Sequence, residues 1–451
     1  MTDRLGEENI HKLLWELSIP AMFGMLSSAL FNIVDRYFVG KIDPLALSGV
    51  GITMPIQILQ MAVVLLIGIG ASTLVSIRLG EGKKTEAESI LWLSFKYIIL
   101  SMVLFVIFFV LFQAKLFRWL SVSDEVYPFA QPYILIIMIG SIFGMPGFCL
   151  NNSLRAIGKA KVTMHAIMYS SILNIILDPI FIFVLDLGVT GAALATVISQ
   201  VAMSIYITRY FIVTEGLEIH LNAQKANEEL RLLKEIFQKG SPTFYVQILA
   251  TFMSGYMNRS FVKFGSDLDL AALTIITAVF SFYHFLILGI VQGNQPIVGY
   301  NWGSGQYDRV CRSLELSIRY AFLISLITFL FIFRKPDFFV AIFTQDEVLT
   351  EITSAGMRAY FLALPILGIQ IVGSHYFQSV GKPKWSSLLL FLRYGVILIP
   401  SIALLAPRIG VKGIYLSNAI SDLVASAVAI VAVGWEIRCL KLMSRSDAKM
   451  V

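Results

Sequence analysis

Long apolar stretches free of any charge, such as Ile98–Phe112 and Ala321–Phe333, recur along this chain and constrain it more than any other feature. A helix that crosses a bilayer needs roughly 20 mostly apolar residues. A soluble fold could not keep so much apolar surface from water, since 57% of the 451 residues are hydrophobic and only 14% charged. Soluble domains carry about 25% charged residues. Lipid tails accept the same surface without penalty, so the chain reads as an all-α integral membrane protein.

Apolar runs between polar breaks predict twelve transmembrane helices, over 14–39, 47–77, 90–112, 130–154, 163–185, 189–212, 241–262, 270–300, 313–333, 355–379, 386–405 and 411–435. Within the eighth, Gly289, Gly293, Pro296 and Gly299 are expected to break a regular helix between Ile287 and Trp302. The polar first dozen residues run into the first span without a small-residue cleavage site, so no cleavable leader is expected.

The net charge of +6 could suggest nucleic acid, but its distribution gives a topology instead. One set of loops carries Lys83 and Lys84; Arg155, Lys159 and Lys161; Lys225, Arg231, Lys234 and Lys239; Arg309 and Arg312; Lys382 and Lys384; and a tail with Arg438, Lys441, Arg445 and Lys449. The alternate loops are poorer in basic residues. The positive-inside rule places both termini in the cytoplasm, the charge being a topology signal rather than a nucleic-acid footprint; the expected location is the plasma (inner) membrane.

Thr214–Lys239 is the long charged connection, and it divides the helices six from six. The expected organisation is an N-terminal bundle over 1–213, a cytoplasmic linker over 214–240 and a C-terminal bundle over 241–451. Leu230, Leu233, Ile236 and Phe237 share one helical face, which predicts a segment lying along the membrane surface.

The halves repeat. At an offset of 223, Gly70, Gly80 and Gly82 fall on Gly293, Gly303 and Gly305, and Gly158-Lys159-Ala160-Lys161 falls on Gly381-Lys382-Pro383-Lys384. At 222, Pro20 falls on Pro242, and Gly188, Val189 and Gly191 fall on Gly410, Val411 and Gly413. Six helices per half keep one orientation, so the repeat is parallel, the plan of transporters that carry substrate between two rocking bundles.

Membrane carboxylates mark function by default, because a charge there costs on the order of 3 kcal/mol or more. The first half has two. Asp35 lies roughly 8 Å below Gly40, and Asp178 roughly 12 Å below the turn at Asp186, at about 1.5 Å per residue. Asn174 is one turn from Asp178 on the same face, and Thr196 returns to a similar depth on the sixth span. These four side chains suit a monovalent cation, Na+, or shared protons, because close carboxylates raise one another's proton affinity. As purely structural partners, Asp35 would pair with adjacent Arg36, and Asp178 would satisfy backbone freed by Pro179. In the second half Asp35 maps onto Asn258 and Asp178 near Pro400, so the scaffold repeats while the acids do not.

The motifs NIVDRYFVG from Asn32, RAIGKAK from Arg155, NIILDPIFIF from Asn174, GVTGAALATVIS from Gly188 and QGNQPIVGYNWGSG from Gln292 resemble, in this order along essentially the whole chain, the multidrug and toxic compound extrusion family, especially its prokaryotic branch. The resemblance implies an antiporter that exports lipophilic, cationic drugs or metabolites in exchange for sodium or protons. It implies coupling residues at Asp35, Asn174, Asp178 and Thr196, a bending proline at Pro20, and a cavity lined by Phe31, Tyr133, Asn151 and Gln200. Some members carry further acids in the second lobe. Here the seventh span has Gln247, the tenth has His375, and the one second-half membrane acid is Asp422.

The implied partners are small lipophilic cations and membrane lipids, with a monomer sufficient and no cofactor beyond the coupling ion. Gly80-Glu81-Gly82-Lys83-Lys84-Thr85 lacks the first glycine of a phosphate loop, since Ile77 stands there, which argues against ATP. Cys149, Cys311 and Cys439 and the five histidines fit no metal spacing. An intramembrane enzyme would need a nucleophile or metal cluster, and none is visible; nor is the repeated charged ring of a channel. The alternative from the same superfamily is a lipid or lipid-linked saccharide flippase, for which Arg259, Arg393 and His284 offer basic groups within spans. Met253, Met257, Phe280 and Phe282 fit either helix packing or an adaptable apolar wall.

Overall fold

A computed structural model describes residues 2–120, 122–217, 219–222 and 228–447. Lys225 of the connection and Lys449 of the tail lie outside the described residues. Twelve long helices follow in chain order: α1 Ile10–Gly40, α2 Leu45–Gly80, α3 Lys84–Trp119, α4 Tyr127–Ala156, α5 Ala160–Val184, α6 Gly188–Val213, α7 Glu229–Phe264, α8 Asp267–Gly303, α9 Tyr307–Arg334, α10 Glu347–Tyr360 with Leu364–Ser379, α11 Pro383–Ile409 and α12 Val411–Asp447. Among the described residues ten of these are long and apolar enough to cross a bilayer, and α10, bent by 55° at its break, makes an eleventh. α7 is the twelfth; Gln247, Asn258, Arg259 and Lys263 lower its apolar content.

The chain divides into two compact units whose boundaries fall inside helices. The first unit contains Phe23–Phe244, and the second contains Asp3–Met22 with Tyr245–Val451. The first part of α1 thus belongs with the second half of the sequence, and the first part of α7 with the first half.

Glycine explains the docking of α7. A Cβ on Gly240 would stand 1.8 Å from the carbonyl oxygen of Leu66, and one on Gly70 would stand 2.0 Å from that of Ile236. The two backbones touch, as small residues permit between membrane helices. The buried stripe of this segment is Leu232, Ile236 and Gly240, whereas Leu230 is 81% exposed. Of the face expected to lie along the membrane surface, Ile236 is drawn into packing against α2, while Leu230 and Phe237 stay exposed. Arg78 of α2 fixes the arrangement by pairing with Glu235 at 2.9 Å and Glu86 at 3.3 Å.

The second unit repeats this device. A Cβ on Gly293 would stand 2.2 Å from the Ser18 hydroxyl oxygen. Arg309 donates to the carbonyl oxygens of Leu5 (3.0 Å) and Glu8 (2.8 Å), and Asn301 donates to Leu5 (2.9 Å). α8 consequently runs unbroken from Asp267 to Gly303 through Gly289, Gly293, Pro296 and Gly299. The break expected there does not occur, because Gly289 and Gly293 are packing positions for Met22 and Ser18.

Each unit has its own core. Val39, Phe109, Ile134, Met138 and Ala192 are fully buried in the first. Tyr283, Leu314, Leu367, Phe377 and Leu389 are buried in the second. The three cysteines are free, as small apolar residues.

Candidate cation and substrate site

The first unit gathers most of the predicted site residues on α1, α5 and α6. Along α5 the spacing Ser170, Asn174, Asp178 keeps one face, four residues per step. Asn174 donates through Nδ2 to Oδ1 of Asp178 at 3.2 Å and lies 3.4 Å from the Thr196 hydroxyl. Ser170 donates to the Ser199 carbonyl at 2.9 Å, tying α5 to α6 one turn deeper. After Asp178-Pro179 the helix widens into a π turn over Ile180–Val184. Proline removes a backbone donor at that point, and π turns of this kind frequently mark functional sites.

α6 is held close by α4. A Cβ on Gly144 would stand 2.9 Å from Gln200 Cβ, and one on Gly147 would stand 2.4 Å from Ser204 Cα. This small-residue stripe presses α6 against α4 and sets the height of Gln200.

Phe31, Ser28, Ser171, Asn174, Thr196 and Gln200 line a cavity that offers a water-sized body about 20 Å³. One water needs about 10–15 Å³ on that measure, so there is room for a small ion or a water. Asp35 and Asp178 are buried, at 8% and 0% exposure. Asp178 lies in the field of Asp35, and Tyr133 lies in the field of both. The four predicted coupling residues and Tyr133 therefore share one region. Asp35, Asp178, Tyr133 and Asn151 are buried, but none of the four is part of the cavity lining.

The polar accounting is unusual. Oδ1 of Asp35, Oδ2 of Asp178, Oδ1 of Asn174, Oγ of Ser199 and Oε1 of Gln200 are all buried without a hydrogen-bond partner. Buried polar atoms in folded proteins are nearly always partnered. Nearly all of this excess is acceptor oxygen, which is what a cation or a proton satisfies. Among the described residues Asp35 and Arg36 form no ion pair, although Arg36 is near enough for its charge to act on Asp35. Arg36 is exposed and reaches Sδ of Met54 at 3.8 Å, and Asp178 keeps one oxygen free. Among the described residues no group of three or more His, Cys, Asp or Glu could hold a metal ion.

Ser170, Ser171 and Ser199 were not among the residues expected at the site. The periodicity could have found Ser170, one turn before Asn174. Ser199 needed the packing of α5 on α6.

The second unit differs. Arg393, in a π turn over Leu392–Leu398, is 5% exposed and its Nε pairs with Oδ1 of Asp422 at 2.6 Å. The guanidinium is thus the partner of a buried acid, and of the alternatives open for Arg393 the structure selects the buried pair. Arg259 is exposed on α7. Met253 is buried and Phe280 packs against the same core, whereas Phe282 is 55% exposed.

The family model MatE matches residues 20–180 and again 242–404, so the same unit is recognised twice, at the repeat offset. The multidrug export protein MepA of Staphylococcus aureus (strain MRSA252) is 28% identical over 429 residues, 94% of this chain and 93% of its own length. MepA of Staphylococcus saprophyticus is 25% identical over 436 residues, 95% of this chain and 94% of its own. A solved structure of an outward-facing multidrug resistance MATE family transporter of the MOP superfamily superposes with a TM-score of 0.91 at 25% identity, over 97% of this chain and 98% of that one. Its twelve helices in two bundles agree with the fold described above. By a model that matches both halves, the chain belongs to the MatE family and is a multi-pass membrane transporter, not an enzyme.

Proposed function

We propose that this transporter exports lipophilic, cationic small molecules in exchange for sodium or protons. The observation that carries the reading is the set of buried, unpartnered oxygens around Asp35, Asn174 and Asp178 in the first unit. Two buried carboxylates that form no ion pair among the described residues, inside a membrane unit, call for a cation that comes and goes. The multidrug export activity in the names of the relatives supports the substrate class.

The roles follow. Asp35, Asn174, Asp178 and Thr196 hold the coupling ion. Phe31 and Gln200, which line the cavity, offer a ring face and an amide oxygen to a lipophilic cation, and Tyr133 and Asn151 on α4 are assigned to the substrate by the family resemblance alone. Ion and drug need not touch; each must bind two conformations unequally. Pro20 is where α1 changes shape between them. The chain sits in the plasma membrane with both termini in the cytoplasm, as the basic loops favour. It works as a single chain and draws on the ion gradient rather than on ATP. The flippase alternative loses support, because the arginine that would greet an anionic headgroup, Arg393, is engaged by Asp422.

The test is ethidium efflux from proteoliposomes without ATP, with sodium and pH gradients imposed one at a time. Efflux driven by one gradient alone confirms exchange and names the ion. Efflux under neither gradient refutes the reading.

A further inference from the structure

The repeat allows the two units to be compared residue by residue at the place where the first has its cavity. Ser170 donates to the Ser199 carbonyl in the first unit, and Ser421 donates to the Arg393 carbonyl in the second. A serine-to-carbonyl bond joins the fifth and sixth helices of each half, donated from the fifth helix in the first half and from the sixth in the second, and it aligns Ser170 with Arg393 and Ser199 with Ser421. These pairs stand at the offsets of 223 and 222 already read from the flanking glycines. Gln200 then aligns with Asp422. Where the first unit has a serine, a glutamine with a buried free oxygen and open space, the second has an arginine–aspartate pair.

The two places are satisfied in opposite ways. In the first unit the acceptors Asp35, Asp178, Asn174 and Gln200 retain unpartnered oxygens, and among the described residues neither acid forms an ion pair. In the second unit Nε of Arg393 bonds Asp422, Nη1 bonds the Tyr394 hydroxyl at 3.0 Å, and the guanidinium lies 5.7 Å from the Phe280 ring centre and 4.8 Å from that of Tyr394. Tyr283 and His284 of α8 and Tyr360 of α10 are the titratable groups in the field of the pair, and His375 acts in turn on His284.

We propose that Arg393 is a built-in counter-ion, the covalent equivalent in the second unit of the cation that the first unit takes from solution. This rests on the coupled-exchange reading above. A buried carboxylate requires a compensating charge. Arg393 supplies one that cannot leave, so the charge of the second unit stays constant through the cycle. Ion exchange is confined to the first unit, and the asymmetry of coupling is written into a repeat whose scaffold is symmetric. Taking the guanidinium away uncovers Asp422, which must then be neutralised by sodium or a proton.

The experiment counts cations on the purified full chain in lipid nanodiscs, by bound radioactive sodium and by the infrared band of protonated carboxyl groups across a pH series. In an Asp178→Asn background, adding Arg393→Gln is expected to create about one new cation-binding or protonating group per chain, and further adding Asp422→Asn to remove it. No gain on either readout overturns the proposal. Because Arg393→Gln alone leaves a buried acid unpaired and can impair folding, the charge-free pair Arg393→Gln/Asp422→Asn is measured too. It is expected to keep the wild-type cation count and gradient-driven ethidium efflux; loss of a cation or of coupling overturns the proposal. Failure of the coupling reading looks different: wild type and Asp178→Asn would then give the same count.

Discussion

Asn174 donates to one carboxylate oxygen of Asp178 across 3.2 Å, while the other oxygen of that carboxylate is buried with no partner. The amide fixes how the acid is turned, and in the proposed exchange the free oxygen is the one that meets the ion. The two residues should therefore fail differently. Asp178→Asn keeps the shape and removes the charge, so gradient-driven efflux should fall to the level of empty vesicles with thermal stability unchanged. Asn174→Ala loses one hydrogen bond to a charged group, worth about 1.5 kcal/mol. Efflux measured against ion concentration should then show roughly a tenfold higher half-saturation with a preserved maximum.

The crossing of α7 over α2 predicts opposite effects for two glycines of one helix. A Cβ on Gly240 would meet the Leu66 carbonyl oxygen at 1.8 Å, and a backbone atom cannot rotate away. Gly240→Ala should destabilise by about 1–3 kcal/mol, the usual range for overpacking. Gly255 has nothing within 4 Å of its Cβ position, so Gly255→Ala should be neutral or stabilise by about 0.5–1 kcal/mol. Thermal unfolding of the purified variants in one detergent checks both signs.

These glycines also show how far the sequence could be read. Glycine recurrence revealed the repeat, and the spacing Asn174–Asp178 revealed the shared face, because both are one-dimensional patterns. The exchange of the first parts of α1 and α7 between units was not legible, since Pro20 and Pro242 announce only a bend and not a change of neighbours. The partner of Asp422 was equally hidden. It lies 29 residues away on another helix, and no periodicity links Arg393 to it.

Arg78 predicts a local effect. Its guanidinium is 14% exposed and bonds Glu81, Glu86 and Glu235, while Arg231 bonds the last two again. Of this network Glu235 and Arg231 belong to α7, so it helps clamp the start of that helix, alongside the bonds of Lys96 and Tyr97 to Glu229. Arg78→Gln should raise amide hydrogen exchange over residues 229–240 by about tenfold, the loss of some 1.4 kcal/mol expected for a charged hydrogen bond. Exchange elsewhere in the first unit should not change. Adding Glu235→Gln should cost little more, and high salt should narrow the difference from wild type, because part of the network is exposed.

Pro20 and Pro242 stand at equivalent places in the repeat, and each lies two residues before the boundary between compact units, at Met22/Phe23 and Phe244/Tyr245. A proline inside a helix cannot donate to the carbonyl four residues back. For Pro242 that carbonyl belongs to Gln238, and the Ser241 hydroxyl donates to it at 2.9 Å. The helix therefore continues through Pro242 with a side chain in place of a backbone bond. A side-chain donor can be released and regained more readily than a backbone one, which suits a position where a helix passes from one unit to the other. Pro242→Ala restores the backbone donor and should stiffen α7 there. The expected result is a protein at least as stable as wild type whose gradient-driven efflux is slowed about tenfold or more, while equilibrium binding of ethidium is retained. Pro20→Ala should do the same in α1. If both variants transport at the wild-type rate, the unit boundaries are passive crossings and the bends lie elsewhere.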